Sequence, residues 1–96
     1  MSKNLHTPEM DHLFDGILAL KNKEEAYAFF EDLCTVGELE AMKQRFAVAD
    51  LLRQQKTYQE VAETTGASTA TVSRVNRSLE YGNDGYELVL KSLEDK

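Results

Sequence analysis

Tryptophan is missing from this 96-residue chain, which also carries one cysteine, one proline and five glycines. A single thiol, Cys34, closes no internal disulfide and suits a reducing, cytoplasmic setting. No histidine or second cysteine stands close to Cys34 in sequence, and the spacing of His6 and His12 favours neither one helix face nor a metal pair. No metal site is therefore expected, and Cys34 reads as a small buried apolar group. Long apolar runs are lacking too: none approaches the roughly 18 residues that span a bilayer. The opening Met1-Ser2-Lys3-Asn4-Leu5-His6 has no apolar stretch behind its lysine, so neither a secretory signal nor a membrane partner is expected. A glycine-rich phosphate loop is absent, and Ser68, Ser73 and Ser78 lack a glycine-flanked elbow, so the chain is not expected to be an enzyme.

What is present is 42% hydrophobic and 29% charged, the composition of one ordinary globular domain spanning residues 1–96 without linker or repeat. The formal charge is −6, which argues against a general nucleic-acid coat. That charge is uneven. Residues 1–40 hold three lysines against nine acids, and residues 80–96 hold two against five. Between them, residues 41–79 are net +3 and carry all four arginines, Arg45, Arg53, Arg74 and Arg77, together with Lys43 and Lys56. Arginine supplies the planar two-pronged donors that suit phosphates and guanine edges.

Helix punctuation recurs along the chain. Thr7 stands before Pro8, a capping hydroxyl ahead of a proline at the first helical position. Met10, Leu13, Phe14, Ile17 and Leu18 then step by three and four. Asn22 caps a second helix carrying Ala26, Phe29, Phe30 and Leu33. Thr35 and Glu38 have capping-box spacing and open a longer helix with Leu39, Met42, Phe46, Ala49 and Leu52 on one face, widened by Val48 and Leu51. Thr57 and Glu60 repeat the box, Ser68 caps a fifth helix, and residues 81–85 are a turn cluster before a last helix with Leu88, Val89 and Leu93. Six short helices and no strand predict an all-α fold. Phe14, Tyr27, Phe29 and Phe30 crowd the first two helices and point to an apolar surface shared with another subunit.

Residues 57–79 carry the most information. They read as helix, tight turn, helix: Ala62 is small where two steeply crossed helices meet, and Gly66 supplies the positive φ of the turn. Val61, Ala67, Val72 and Val75 form the seam between the helices. Thr69, Ala70, Ser73, Arg74 and Arg77 are left outward, small or hydroxylic first and cationic later, a face shaped for a major groove and its flanking phosphates.

These residues resemble the reading head of the Trp repressor superfamily. Gly66-Ala67, Ala70-Thr71-Val72-Ser73-Arg74 and Ser78-Leu79 carry the likeness, with Glu38, Glu40-Ala41-Met42, Arg45 and Leu51-Leu52-Arg53 upstream. The run from Ser68 to Leu79 looks most like the YerC/YecD branch of that superfamily. The resemblance implies an intertwined homodimer with two helix-turn-helix heads on one side, a palindromic double-stranded operator, and repression of transcription. It also implies DNA-facing roles for Tyr58, Gln59, Thr69, Ala70 and Ser73, joined by Ser68 and Arg74 of the same segment. Gln59 suits a two-pronged pair with adenine. Charge alone assigns Lys56, Arg53 and Arg77 to phosphates.

Members of that superfamily hold tryptophan between two arginines, and Arg45, Arg74 and Thr35 fall at matching positions. Val75 stands where the tryptophan-binding members have glycine beside the indole, and its added carbons fill that space. Tryptophan is therefore not expected as cofactor, which leaves another small effector or none. A different class of function stays open beside DNA binding: a protein-interaction adaptor that keeps the helix-turn-helix shape without affinity for DNA.

Overall fold

Five of the six helices start where a short polar side chain satisfies backbone N–H groups that have no helical partner. The computed structural model describes residues 4–96, so the Met1-Ser2-Lys3 start read above for targeting lies outside the described residues. The elements are α1 (Pro8–Leu18), α2 (Lys23–Leu33), α3 (Val36–Arg53), α4 (Tyr58–Thr65), α5 (Thr69–Tyr81) and α6 (Gly85–Glu94), with no strand among the described residues. The Thr7 hydroxyl accepts from the Met10 N–H at 3.1 Å and the Asn22 side chain from the Glu25 N–H at 2.9 Å. Thr35 and Glu38 exchange bonds of 2.8 and 3.1 Å ahead of α3. The all-α expectation and its six helices hold.

The chain divides into two compact units, one ending at Leu39 and one running from Glu40 to Lys96. In the first, neither α1 nor α2 contains a buried residue. Phe29 and Phe30 meet edge to face with ring centroids 5.5 Å apart, while Tyr27 and Leu18 stand open. Cys34, expected to be buried, is only half-buried at the end of α2.

The second unit builds a core of Val48, Ala49, Val61, Ala67, Val72, Val75 and Leu90, with Leu51, Leu52, Ala62, Leu79 and Tyr86 packed around it. All are apolar at the centre, and no polar residue is buried among the described residues. The sequence placed the inner face of α3 on Met42 and Phe46 as well. Both remain partly open, because the buried positions of α3 sit near its C-terminal end at Val48 and Ala49. On α6 the sequence singled out Leu88, Val89 and Leu93; the residue that enters the core is Leu90, with Tyr86 tilted against Phe46 at 6.5 Å.

Two connections have special backbone. α3 ends with Gln55 in the left-handed region at φ 70. Its N–H donates to the Leu52 carbonyl at 3.0 Å and the Lys56 N–H donates to the Leu51 carbonyl at 3.2 Å, the paired bonds of a Schellman ending. Glycine usually fills that position; glutamine accepts a strained conformation instead. After α5, a Cβ at Gly82 would overlap the Ser78 carbonyl oxygen, so that stop admits no side chain without a backbone shift.

Candidate nucleic-acid interface

The helix-turn-helix is set from its ends inward. At the start of α4 the Thr57 hydroxyl accepts from the Glu60 N–H, and the Glu60 carboxylate accepts from the Thr57 N–H, both at 3.1 Å. Those bonds, the Thr57 backbone first and its side chain next, hold the Glu60 carboxyl below the usual carboxylate range. At the other end Gly66 adopts φ 74 and donates to the Ala62 carbonyl at 2.8 Å, as the sequence required of a left-handed turn. Thr65 locks the same turn: its hydroxyl donates to the Val61 carbonyl at 2.7 Å and accepts from the Ala67 N–H at 3.1 Å. The Ser68 hydroxyl then accepts from the Thr71 N–H at 3.1 Å and starts α5.

Between these ends the valine seam closes. Val61 and Val72 are wholly buried, Val75 is 1% exposed and Ala67 6%. Burial on one side leaves the rest of α5 outward. Ser68, Thr69, Ala70, Arg74 and Arg77 are exposed and Ser73 is half-buried. On α4, Tyr58 and Gln59 are exposed, and Lys56 is exposed just before it. Gln59 donates to Glu63 only at 3.5 Å, a contact loose enough for a base edge to replace.

The basic segment is less basic than its count. Lys43 is paired with Glu40 one turn earlier. Arg53, assigned by charge to a phosphate, is taken up within the protein: its Nε donates to Glu87 Oε1 at 2.7 Å, its Nη2 to Glu87 Oε2 at 3.0 Å and its Nη1 to Glu94 Oε2 at 2.5 Å. Its side chain is 21% exposed. These bonds hold the Arg53 guanidinium firmly charged, and the bonds from Arg53 hold the Glu87 carboxyl below its ordinary range. Among the described residues, Lys56, Arg74 and Arg77 form no ion pair. Those three are the cations left for a phosphate backbone, beside the half-buried Arg45.

Of the residues matched to an effector site, Thr35 is spent as the cap of α3 in the first unit, and Arg45 and Arg74 lie in the second. A cleft of about 700 Å³ lies between α3 and the end of α4, lined among others by Ala41, Gln44, Ala47, Leu51 and Thr65. Gln44 donates there to the Thr65 carbonyl at 3.3 Å. None of Thr35, Arg45 and Arg74 lines it.

The likeness to known proteins runs through the whole assembly of helices. The Trp repressor protein family matches residues 8–94. The uncharacterized protein YerC of Bacillus subtilis is 50% identical over 91 residues, covering 95% of this chain and 88% of that protein. A Trp operon repressor homolog of Chlamydia caviae is 33% identical over 78 residues, covering 80% of this chain and 77% of the homolog. The crystal structure of a TrpR like protein from Eubacterium eligens superposes with a TM-score of 0.91 at 57% identity, covering 94% of this chain and 93% of that one.

Proposed function

The chain belongs to the Trp repressor family, and on that premise we propose that it is a sequence-specific double-stranded DNA-binding regulator, a cytoplasmic repressor that grips a palindromic operator as a homodimer. The observation that carries this reading is the two-sided character of α5. Its inner side is sealed by Val72 and Val75, and its outer side offers Thr69, Ala70, Arg74 and Arg77 to solvent without an ion pair among the described residues. Gln59 reads a base edge, Thr69 and Ala70 meet thymine methyl groups, and Lys56, Arg74 and Arg77 hold phosphates. A second copy covers the apolar side chains left open on α1, α2 and α6, and the two heads then fall about one DNA turn apart.

The head is set without tryptophan. Val75 is 1% exposed in the seam, and an isopropyl group where the tryptophan-binding members have glycine argues against an indole beside it. Calorimetry tests this point: the native chain takes up no tryptophan, and micromolar uptake would end the claim.

Selection of bound duplexes from a random pool tests the main reading, which requires a two-fold symmetric consensus. Retention of that duplex should fall by orders of magnitude between 50 and 200 mM salt if about six or more phosphates are neutralised. Replacing Arg74 and Arg77 by alanine should abolish it. The net charge of −6 favours one rival, an adaptor that binds protein instead; such a chain yields no consensus and no salt dependence on duplex DNA.

A further inference from the structure

Arg53 is the last residue of α3, and the corner that follows is four residues long. That corner is closed by backbone bonds from Gln55 to Leu52 and from Lys56 to Leu51, so Lys56, Thr57 and the first turn of α4 follow rigidly from wherever the last turn of α3 is held. Leu51 and Leu52 pack that turn against the core, and its polar side is held by α6. Glu87 and Glu94 lie seven residues apart, two helical turns, and therefore on one face. Both reach Arg53, the first with two parallel bonds and the second with one. The planar fork of arginine makes this a directional joint, whereas lysine would leave only a point charge. Otherwise α6 is held by buried Leu90 and by Tyr86 against Phe46, while Leu88, Val89 and Leu93 stand open. The joint sits between a helix with an uncovered apolar face and the end of α4 that carries Tyr58 and Gln59.

We propose that Arg53 is a positioning residue for DNA reading: by pinning the end of α3 to Glu87 and Glu94 of α6, it fixes where Tyr58 and Gln59 stand against the bases. This rests on the DNA-binding reading above. It assigns Arg53 a role opposite in consequence to a phosphate contact, since the carboxylates that engage it become helpers of DNA recognition despite their negative charge.

The experiment uses the full-length protein, the duplex selected by the native chain, and a scrambled duplex of equal length, each titrated at several salt concentrations. The variants are Arg53→Lys and the double variant Glu87→Gln with Glu94→Gln, with thermal unfolding recorded for each. Both should bind the selected duplex more weakly by on the order of tenfold, the size of one spoiled base contact. Binding to the scrambled duplex should be unchanged or, for the double variant, tighter, because two negative charges are gone. Glu94→Gln alone keeps the two-bond pair with Glu87, and with it the fold, and should shift specific binding in the same direction by less. Native-like specific binding by Arg53→Lys, or tighter binding of both duplexes by the double variant, overturns the proposal and returns Arg53 to the phosphates. Equal losses on both duplexes overturn it as well. A native chain that selects no duplex defeats the DNA-binding reading itself and takes this inference with it, an outcome visible before any variant is made.

Discussion

The two units of this chain solve the burial problem differently. From Glu40 onward, small aliphatic side chains close a core in which Val48, Val61 and Val72 lose all contact with solvent. Up to Leu39, two well-capped helices carry larger apolar groups and bury none of them: Leu18 remains 82% exposed and Phe14 52%. Burial of a leucine or phenylalanine is worth about 1.5–3 kcal/mol each, so the first unit holds its stabilising surface in reserve. The difference teaches that large side chains do not by themselves make a core; elements that cross closely do. Valine and alanine in the second unit allow that approach, and the bulkier groups of the first remain exposed.

The sharpest break of this contrast is Val72→Asp. An unpaired carboxylate at a wholly buried site should cost more than about 4 kcal/mol and unfold the second unit, seen as loss of the cooperative urea transition. Next comes truncation of the open surface. If a second copy covers it, Phe14→Ala with Leu18→Ala should weaken self-association by about 2 kcal/mol per side chain, measured by sedimentation at several concentrations. If nothing covers it, Leu18→Ala will change stability by less than about 0.5 kcal/mol, and the contrast becomes a property of the monomer. Smaller still is the cap of α4: Thr57→Ala should lose about 1 kcal/mol by urea titration.

The acids of the second unit give the same comparison a pH axis. Glu60 and Glu87 are both held below their ordinary range in the folded protein, so each stabilises when ionised. Their contribution is complete above about pH 5 and drains away as pH falls past about 4, where the folded state must also take up protons. Unfolding midpoints across that window should fall, and Glu60→Gln should flatten part of the slope. The smallest effect is expected at the corner, where Gln55→Gly relieves left-handed strain but frees the unfolded chain. The net gain should be under about 1 kcal/mol.

Much of this was legible in order. Caps announce themselves locally, which is why Thr7, Asn22, Thr35, Thr57 and Ser68 all mark helix starts where the sequence placed them. The seam was legible for the same reason: Val61, Ala67, Val72 and Val75 lie within fifteen residues and meet through one turn. Arg53 was not, because its partners are 34 and 41 residues away and charge counting treats every arginine as available. One signal existed, the two glutamates of α6 repeating on a single face, but it names no partner. Gln55 left no signal, since glycine is the usual mark of a left-handed ending. Leu90 does not stand out in sequence from Leu88, Val89 and Leu93, because an apolar helix with two candidate faces does not say which one meets its own chain.

Gly82 carries a consequence of its own. In the backbone conformation Gly82 adopts, any Cβ would collide with the Ser78 carbonyl, so glycine is what lets the chain leave the helix here, and the thirteen-residue α5 ends at a length of roughly 20 Å. The glycine is in effect a ruler's end. If α5 enters a groove as proposed, that length keeps it clear of the next turn of the duplex, and a transplant of this head into another scaffold should make the splice beyond residue 82.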